Sequence, residues 1–574
     1  MTKHPTAPLP VANVTVRHEI ATSTAPLPAG LAMTLEIDTG RPPTLAPHGM
    51  VASSHSLASA AGIDVLRAGG SAVDAAIAAS AALAVIYPHM TSVGGDAFWL
   101  IYDAGARRVR YLDGGGRAAR GASIESFRSR GMEAVPLRGV LPATMTVPGS
   151  VASWCAAHAA YGRVPLARDL SAAVEYARDG FPVTARVAAA IEGCVEEGAF
   201  NGDAARVFLP EGRVPQVGQR FTNRGLARVL ERIAADGADG FYAGETARAL
   251  ADFARAEGGF FDEKDLRAQK SSWGEPLRGT YRGIEIHETP APTQGFTVLE
   301  MLNLIEPWDV GAMDPRGPDL VHLMVQAKQI AYHDRDRLLA DPEFSAVPVE
   351  RLVSKAYAEK RRALVRMDRA LPWDEVPSYG TLSGDTVFVC AVDAQGNAAA
   401  LIQSLYSFFG SGVVAGDTGI VLQNRSAYFS LDPGHPNRLE AGKRPMHTLI
   451  ASLALRDGRL WQTFGCMGAD GQPQIHLQGY VGLIDFGLDI QQVLETPRWL
   501  SGRFGLGEPR DLLNIEGRFP VATVHELERR GHVVNRWPDW MELAGHAHGI
   551  TIDPASGMRI GGADPRSDGA AIGY

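Results

Sequence analysis

Residues 383–425 read SGDTVFVCAVDAQGNAAALIQSLYSFFGSGVVAGDTGIVLQNR, and they hold two apolar runs split by a turn. Val387 to Val392 has the β-branched and aromatic make-up of a strand. Asp393-Ala394-Gln395-Gly396-Asn397 supplies turn residues, and Ala398 to Tyr406 is the second run. Two such runs joined by Gly, Asn and Asp predict a β-hairpin. Ser383-Gly384-Asp385 delivers Thr386 to the head of the first strand. Before it, Leu371 to Asp385 carries two prolines, two glycines and no helical stripe, the pattern of an exposed loop open to cleavage. A cut after Asp385 leaves fragments of 385 and 574 − 385 = 189 residues. Thr386 then becomes a chain terminus, a hydroxyl nucleophile with its own α-amine as general base. On pattern alone Thr386 is an ordinary strand-edge threonine, and Ser383 and Cys390 are rival nucleophiles.

Outward from the hairpin, helices are predicted over Leu57 to Leu66 and Ala72 to Val85, split by Gly69-Gly70. Val93-Gly94-Gly95-Asp96 is a tight turn feeding a strand, Ala97 to Tyr102, with Val109 to Leu112 as its partner. Leu166 to Arg267 is mostly amphipathic helix. A strand, Tyr281 to His287, leads into Thr289-Pro290-Ala291-Pro292-Thr293-Gln294-Gly295. Helices follow at Thr297 to Ile305, Pro318 to Ala340 and Val349 to Val365. After the hairpin come a strand at Leu449 to Leu455, the glycine loop Gly465 to Gly471 and a helix near Gln474 to Leu483. No repeat and no βαβ alternation appear, so the pattern gives an α+β chain with mostly antiparallel strands.

At 574 residues, 45% hydrophobic and 21% charged, the chain has ample material for a large core. Its net charge of −9 gives no support to a nucleic-acid partner. Cys155, Cys194, Cys390 and Cys466 form no CxxC pair and suit free thiols in a reducing compartment. His546 and His548 fall short of a ligand signature and read as a loop, so neither metal nor organic cofactor is expected. Residues 1–45, rich in Pro, Thr and Ala, read as a mobile arm without a leader peptide, and no run is long enough to span a membrane. A cytoplasmic protein is the expectation.

The hairpin region resembles the processing and nucleophile segment of the γ-glutamyltransferase family of N-terminal nucleophile hydrolases. Gly49 to Asp103, Tyr332-His333-Asp334-Arg335 with Asp341-Pro342-Glu343-Phe344, and Ala563-Asp564-Pro565-Arg566 through Gly573-Tyr574 resemble the same family. The resemblance implies a four-layer αββα sandwich in which a large subunit, 46–385, and a small one, 386–574, share one core. It implies a heterodimer of these chains, possible further dimerisation, and a small-molecule amide substrate with water or an amine as acceptor. It makes Thr386 the nucleophile after cleavage between Asp385 and Thr386. It makes Ser404 a hydroxyl that hydrogen-bonds Thr386, and Gly468 and Ala469 the backbone donors of an oxyanion hole. Such donors contribute roughly 3–4 kcal/mol each. Read from the residues, Ser404 is equally a turn-facing serine, the loop a plain glycine turn, and an alanine at 469 is strained if φ is positive there.

The pattern departs from the family where glutamate is held. The arginine implied for the α-carboxylate falls on Gly115, with Arg117 two residues on. Tyr428 stands at the acidic position implied for the α-amine, and Arg425 at the polar position three before it. Tyr406 replaces an asparagine, and His447 and Thr448, after Arg444-Pro445, replace two serines. Arg117, Arg425, Tyr428, His447 and Thr448 are therefore the substrate-contact candidates. A basic residue without the acid favours a carboxylated acyl group lacking a free amine, such as a glutaryl or oxamate-like amide. Pairing of Arg425 with a structural carboxylate such as Asp417 is the competing reading. The competing functions are a glutathione-directed γ-glutamyl hydrolase or transpeptidase and an unprocessed, non-catalytic relative. Tyr332 to Arg337 reads as a solvated or interfragment charged helix face.

Overall fold

The computed structural model describes residues 40–377, 385–504 and 508–574. Two antiparallel sheets of seven strands each form its centre. One runs Ala570–Gly573, Met50–Ser53, Asp385–Val392, Ala398–Tyr406, Asp96–Asp103, Arg108–Gly114, Ser272–Gly274. The other runs Thr44–Ala46, Arg559–Ala563, Ala547–Ile552, Arg459–Cys466, Ser452–Arg456, Ile284–Glu288, Leu277–Tyr281. Strands from both sides of the Asp385–Thr386 bond lie in each sheet.

The alternation of side chains along Asp385–Val392 builds the layers. Phe388, Cys390 and Val392 point into a core shared with Leu449, Leu453 and Ile550 of the facing sheet. Val387, Val389 and Ala391 point the other way, into a core with the helices Ser56–Arg67 and Ala72–Ile86. The latter is buried along its whole length, as a helix apolar on all sides must be. Ser71 and Asp74 cap it reciprocally. Beyond the second sheet lie Phe296–Ile305 and Gln472–Ile484. A Cβ on Gly279 would sit 2.9 Å from Leu299, and one on Gly479 2.6 Å from Phe464, so glycines let helix and sheet close up. The order helix–sheet–sheet–helix is the αββα sandwich.

Several sequence expectations need correction. The strand expected at Tyr281 to His287 is a hairpin turning at Arg282 and Gly283, both with positive φ. The helix expected at Val349 to Val365 is two, Val349–Leu352 and Lys355–Arg362, because Ser354 caps the second through the Tyr357 N–H. Leu449 to Leu455 starts its strand only at Ser452, and Gly465 and Cys466 end a strand rather than begin a loop. The expected arm, 1–45, overlaps the strand Thr44–Ala46; residues 1–39 lie outside the described residues. Tyr332, Asp334 and Arg335 are buried, so of the two readings the solvated face fails and the interfragment one holds, through Arg335 and Asp470. His546 and His548 are buried too, His548 within the strand Ala547–Ile552. Among the described residues no helix is long and apolar enough to cross a membrane.

Candidate active site

Thr386 pairs with Ser404 in the hairpin, while Asp385 pairs with Tyr406, so Leu405 is an extra residue opposite the bond between them. A bulge of this kind bends the strand and re-aims the side chains around it. Thr386 is buried. The Ser404 hydroxyl oxygen accepts from the Tyr406 N–H at 2.7 Å and from Arg425 Nη2 at 3.2 Å. Tyr406 has φ 86, a costly conformation for a bulky residue and one found where function over-determines the backbone. The strain sets its ring under the Arg425 guanidinium, 4.8 Å from the ring centre, with Tyr428 at 5.5 Å.

Arg425 is 1% exposed. Nη1 donates to Thr448 Oγ1 at 2.9 Å, and Nε has no partner among the described residues. No described carboxylate lies within ion-pair distance of it, and Asp417 instead meets Arg206 at 3.2 Å. Other buried arginines have acids: Arg498 meets Asp564 at 2.6 Å, Arg566 meets Glu516 at 2.5 Å, and Arg335 meets Asp336 at 2.7 Å. Burial lowers the Arg425 pKa from its usual value. The direct contacts of this guanidinium are hydroxyls and rings, with Asp96 and Asp470 acting on it only from beyond ion-pair distance.

His447 and Thr448 continue this wall. The His447 ring stands edge-on to Phe98 at 4.7 Å, with Nε2 3.7 Å from Asp96 Oδ2. Neither ring nitrogen has a hydrogen-bond partner among the described residues. Burial first, then Arg425 and Arg444, holds the imidazole pKa well below the usual range, so it is neutral with one donor and one acceptor. A Cβ on Gly115 would lie 3.0 Å from Phe98 and 3.4 Å from His447 Nε2. A side chain at 115 would press on Phe98, Asp113 and His447 together. Asp96 takes N–H bonds on Oδ1 from Gly116 at 2.8 Å, Gly149 at 3.2 Å and Gln423 Nε2 at 3.1 Å, leaving Oδ2 without one. Burial raises its carboxyl to about 7.

The glycine loop follows the strand Arg459–Cys466. Gly468 has φ 136 and Ala469 φ 45, so the alanine does occupy the left-handed region. Gln294 holds the loop: its Nε2 donates to the carbonyls of Ala469 and Thr448, both at 2.9 Å. Arg335 Nη1 donates to Gln294 Oε1 at 2.7 Å and is ion-paired with Asp470, and Tyr332 donates to the Asp470 carbonyl. Strand pairing from Thr386 to Ser404 and hydrogen bonds through Arg425, Thr448 and Gln294 thus lead to Ala469. Asp96 and Gln294 were not picked out as site residues from the sequence, because nothing in their local pattern points to the residues they meet.

Arg117 lies outside this chain of contacts, tied to Glu343 at 2.7 Å and the Gly442 carbonyl at 3.0 Å and a third exposed. Cys390 points into the inter-sheet core, where burial pushes its thiol up to about 12, too high for a thiolate nucleophile. Ser383 lies outside the described residues.

Residues 58–574 match the family described as Gamma-glutamyltranspeptidase. The chain belongs to this family. It is 40% identical over 524 residues to the Glutathione hydrolase-like YwrD proenzyme of Bacillus subtilis (strain 168), covering 91% of this chain and 98% of that protein. It is 39% identical over 533 residues to the Oxamate amidohydrolase proenzyme of Klebsiella pneumoniae subsp. pneumoniae, covering 92% and 98%. The crystal structure of cephalosporin acylase from Bacillus halodurans superposes with a TM-score of 0.87 at 35% identity, covering 95% of this chain and 99% of that one. The protein is accordingly a gamma-glutamyltranspeptidase-type N-terminal nucleophile hydrolase, related to enzymes made as proenzymes and processed into two chains.

Proposed function

We propose that this protein hydrolyses, or transfers the acyl group of, short amides whose acyl part carries a carboxylate and no α-amine. The observation that carries this reading is Arg425, buried against hydroxyls and tyrosine rings with no described acid in ion-pair contact. A substrate carboxylate supplies the missing counter-ion and takes bonds directed from the guanidinium. Neutral His447 donates to the same carboxylate, and Tyr428 closes the side where an amine would otherwise be held. That relatives are named for oxamate and cephalosporin chemistry agrees with an acyl pocket that varies within the family.

Cleavage after Asp385 yields chains 46–385 (behind an N-terminal arm) and 386–574. As Thr386 Oγ1 bonds the substrate carbonyl carbon, its proton passes to the α-amine. The oxyanion takes the N–H groups of Gly468 and Ala469, while Ser404 orients the nucleophile. The C–N bond then breaks and the leaving nitrogen takes the proton from the ammonium. Water, or an acceptor amine, gives a proton to the freed α-amine as it attacks the ester carbonyl, and Oγ1 takes that proton back as the C–Oγ1 bond breaks, restoring Thr386.

N-terminal sequencing of active protein is expected to recover a chain beginning TVFVC, and Thr386→Ala to abolish both processing and turnover. On acyl anilides, glutaryl is expected to outrun γ-glutamyl; the reverse order overturns the carboxylate-without-amine assignment while leaving Thr386 in place. A γ-glutamyl specificity has one observation in its favour, the Asp96 Oδ2 that accepts no hydrogen bond and faces His447, where an α-ammonium could bind. Glutathione hydrolysis that Asp96→Asn abolishes would establish that reading instead.

A further inference from the structure

Asp74, His158 and Asp169 come from three different helices and meet away from the hairpin's catalytic end. Asp74 belongs to the capping box of Ala72–Ile86, and its Oδ2 accepts from the N–H groups of Ser71 at 2.7 Å and Arg163 at 2.8 Å. Its Oδ1 accepts nothing among the described residues. Asp169 ends the short helix Leu166–Asp169; it is fully buried, and neither oxygen accepts a hydrogen bond there. His158, on the helix Ser150–Tyr161, sets Nε2 3.9 Å from Asp74 Oδ1 and 3.8 Å from Asp169 Oδ2. The same nitrogen is hydrogen-bonded to the Val164 carbonyl oxygen at 2.8 Å, as the donor when the proton sits on Nε2.

We propose that Asp74, His158 and Asp169, with the Val164 carbonyl, form a binding site for one divalent transition-metal ion, Zn²⁺ or Mn²⁺. Two carboxylates enclosed together repel each other unless a proton or a cation lies between them. A shared proton satisfies one oxygen of the pair and leaves His158 bonded to the Val164 carbonyl alone. A metal ion uses all three side chains at once. The donor set of one imidazole nitrogen and several oxygens suits Zn²⁺ or Mn²⁺ better than Ca²⁺, which favours an all-oxygen cage. His158 then carries its proton on Nδ1, so that the Nε2 lone pair and the Val164 oxygen both face the ion. A recess of about 270 Å³ reaches Asp169 from outside, with Asp64 and Glu175 against Arg168 on its rim, so the mouth is negative. Such a mouth draws in cations. The ion ties the start of the helix Ala72–Ile86, which lies under the catalytic hairpin, to two helices of the outer layer. Its role is to brace that layer, not to take part in the acyl transfer.

The full-length protein, stripped with a chelator and dialysed, is titrated calorimetrically with ZnCl₂ and separately with MnCl₂. One equivalent per chain is expected for at least one of them, with a rise in melting temperature. Asp169→Asn, whose amide can still bond Asp74 and so keeps the fold, is expected to weaken binding at least about tenfold, and His158→Gln likewise. Circular dichroism identifies any variant that fails to fold, and the other variant then decides. Absence of saturable binding overturns the proposal. So does binding that both variants retain, which would place the ion elsewhere, or stabilisation by lowered pH alone, which would make the bridge a proton.

Discussion

Arg444 and Arg425 lie at similar depth, and the groups around them are opposite in kind. Arg444 meets Asp341 at 2.9 Å, Glu343 at 2.7 Å and Asp113 at 2.5 Å. Burial alone would depress its pKa, but Asp113 and Asp341 outweigh burial and raise it above the usual value. Arg425 has two hydroxyls and two rings, and burial depresses it. The first arginine is a staple: it joins the end of the strand Arg108–Gly114, the Asp341–Glu343 turn and the segment that carries His447 and Thr448. The second, which bonds Thr448 of that segment, has no carboxylate in ion-pair contact and feels Asp96 and Asp470 only from farther off. A guanidinium completed by its own protein holds structure, and one left incomplete waits for a ligand.

The largest effect that tests this contrast is on Arg444. Arg444→Met strands Asp113 and Asp341 without a cation and is expected to cost about 3–5 kcal/mol of stability, read from the urea midpoint. Arg425→Met removes a charge that no described carboxylate contacts directly, and the same measurement is expected to stay level or rise. Its loss appears in catalysis: kcat/KM for a glutaryl anilide is expected to fall about 100-fold, roughly 2.7 kcal/mol. An uncharged acyl anilide is expected to lose less than about tenfold, the part due to the bond to Ser404. Equal losses on both substrates, or a large drop in urea midpoint, would make Arg425 a second staple and erase the distinction.

Much of this architecture was legible in the sequence, and the failures share a cause. The hairpin and the helices at 56–67 and 72–86 follow from local rules, alternation, turn residues and capping, which act within a few residues. The C-terminal strands Ala547–Ile552, Arg559–Ala563 and Ala570–Gly573 escaped because glycine replaces the apolar run. A Cβ on Gly561 would come within 2.2 Å of the Met50 sulfur, so the sheets need bareness there, not bulk. Of the two readings of Tyr332 to Arg337, the solvated one fails and the interfragment one holds: Arg335 is answered by Asp336 and, across the Asp385–Thr386 bond, by Asp470. The candidate list, Arg425, His447 and Thr448 included, came from the family pattern. Asp96 and Gln294 matter only through distant partners, and the bulge at Leu405 has no local signature.

Asp96 offers a milder test of the incomplete pocket. Its carboxyl titrates near 7 because burial disfavours the charged form. Below that pH the group is neutral and Arg425 presents its full charge; above it a new negative charge faces His447 and the incoming carboxylate. KM for a carboxylated substrate is therefore expected to rise with pH through about 7, by up to about tenfold. Asp96→Asn keeps an Oδ1 for the N–H groups of Gly116 and Gly149 and should flatten that rise. KM is the quantity to follow, since the Thr386 amine titrates into kcat. A rise that survives in the asparagine variant would place the titrating group elsewhere.

The smallest expected effect lies in the loop that a third arginine steadies. Arg335, answered by acids like Arg444, acts on the Ala469 carbonyl through Gln294. Ala469 sits at φ 45, where a Cβ costs roughly 1–2 kcal/mol that glycine does not incur. Glycine gives back about 0.5–1 kcal/mol through the freedom of its unfolded chain. Ala469→Gly is thus expected to stabilise the protein by less than about 1.5 kcal/mol in urea denaturation, the difference of those two terms. The backbone N–H stays, so kcat is expected to hold within about twofold of wild type. A marked fall in kcat would mean that the alanine methyl, not Gln294 and Arg335, fixes the direction of that N–H. The loop would then depend on its own strain, and the paired arginine behind it would be a staple for the helices alone.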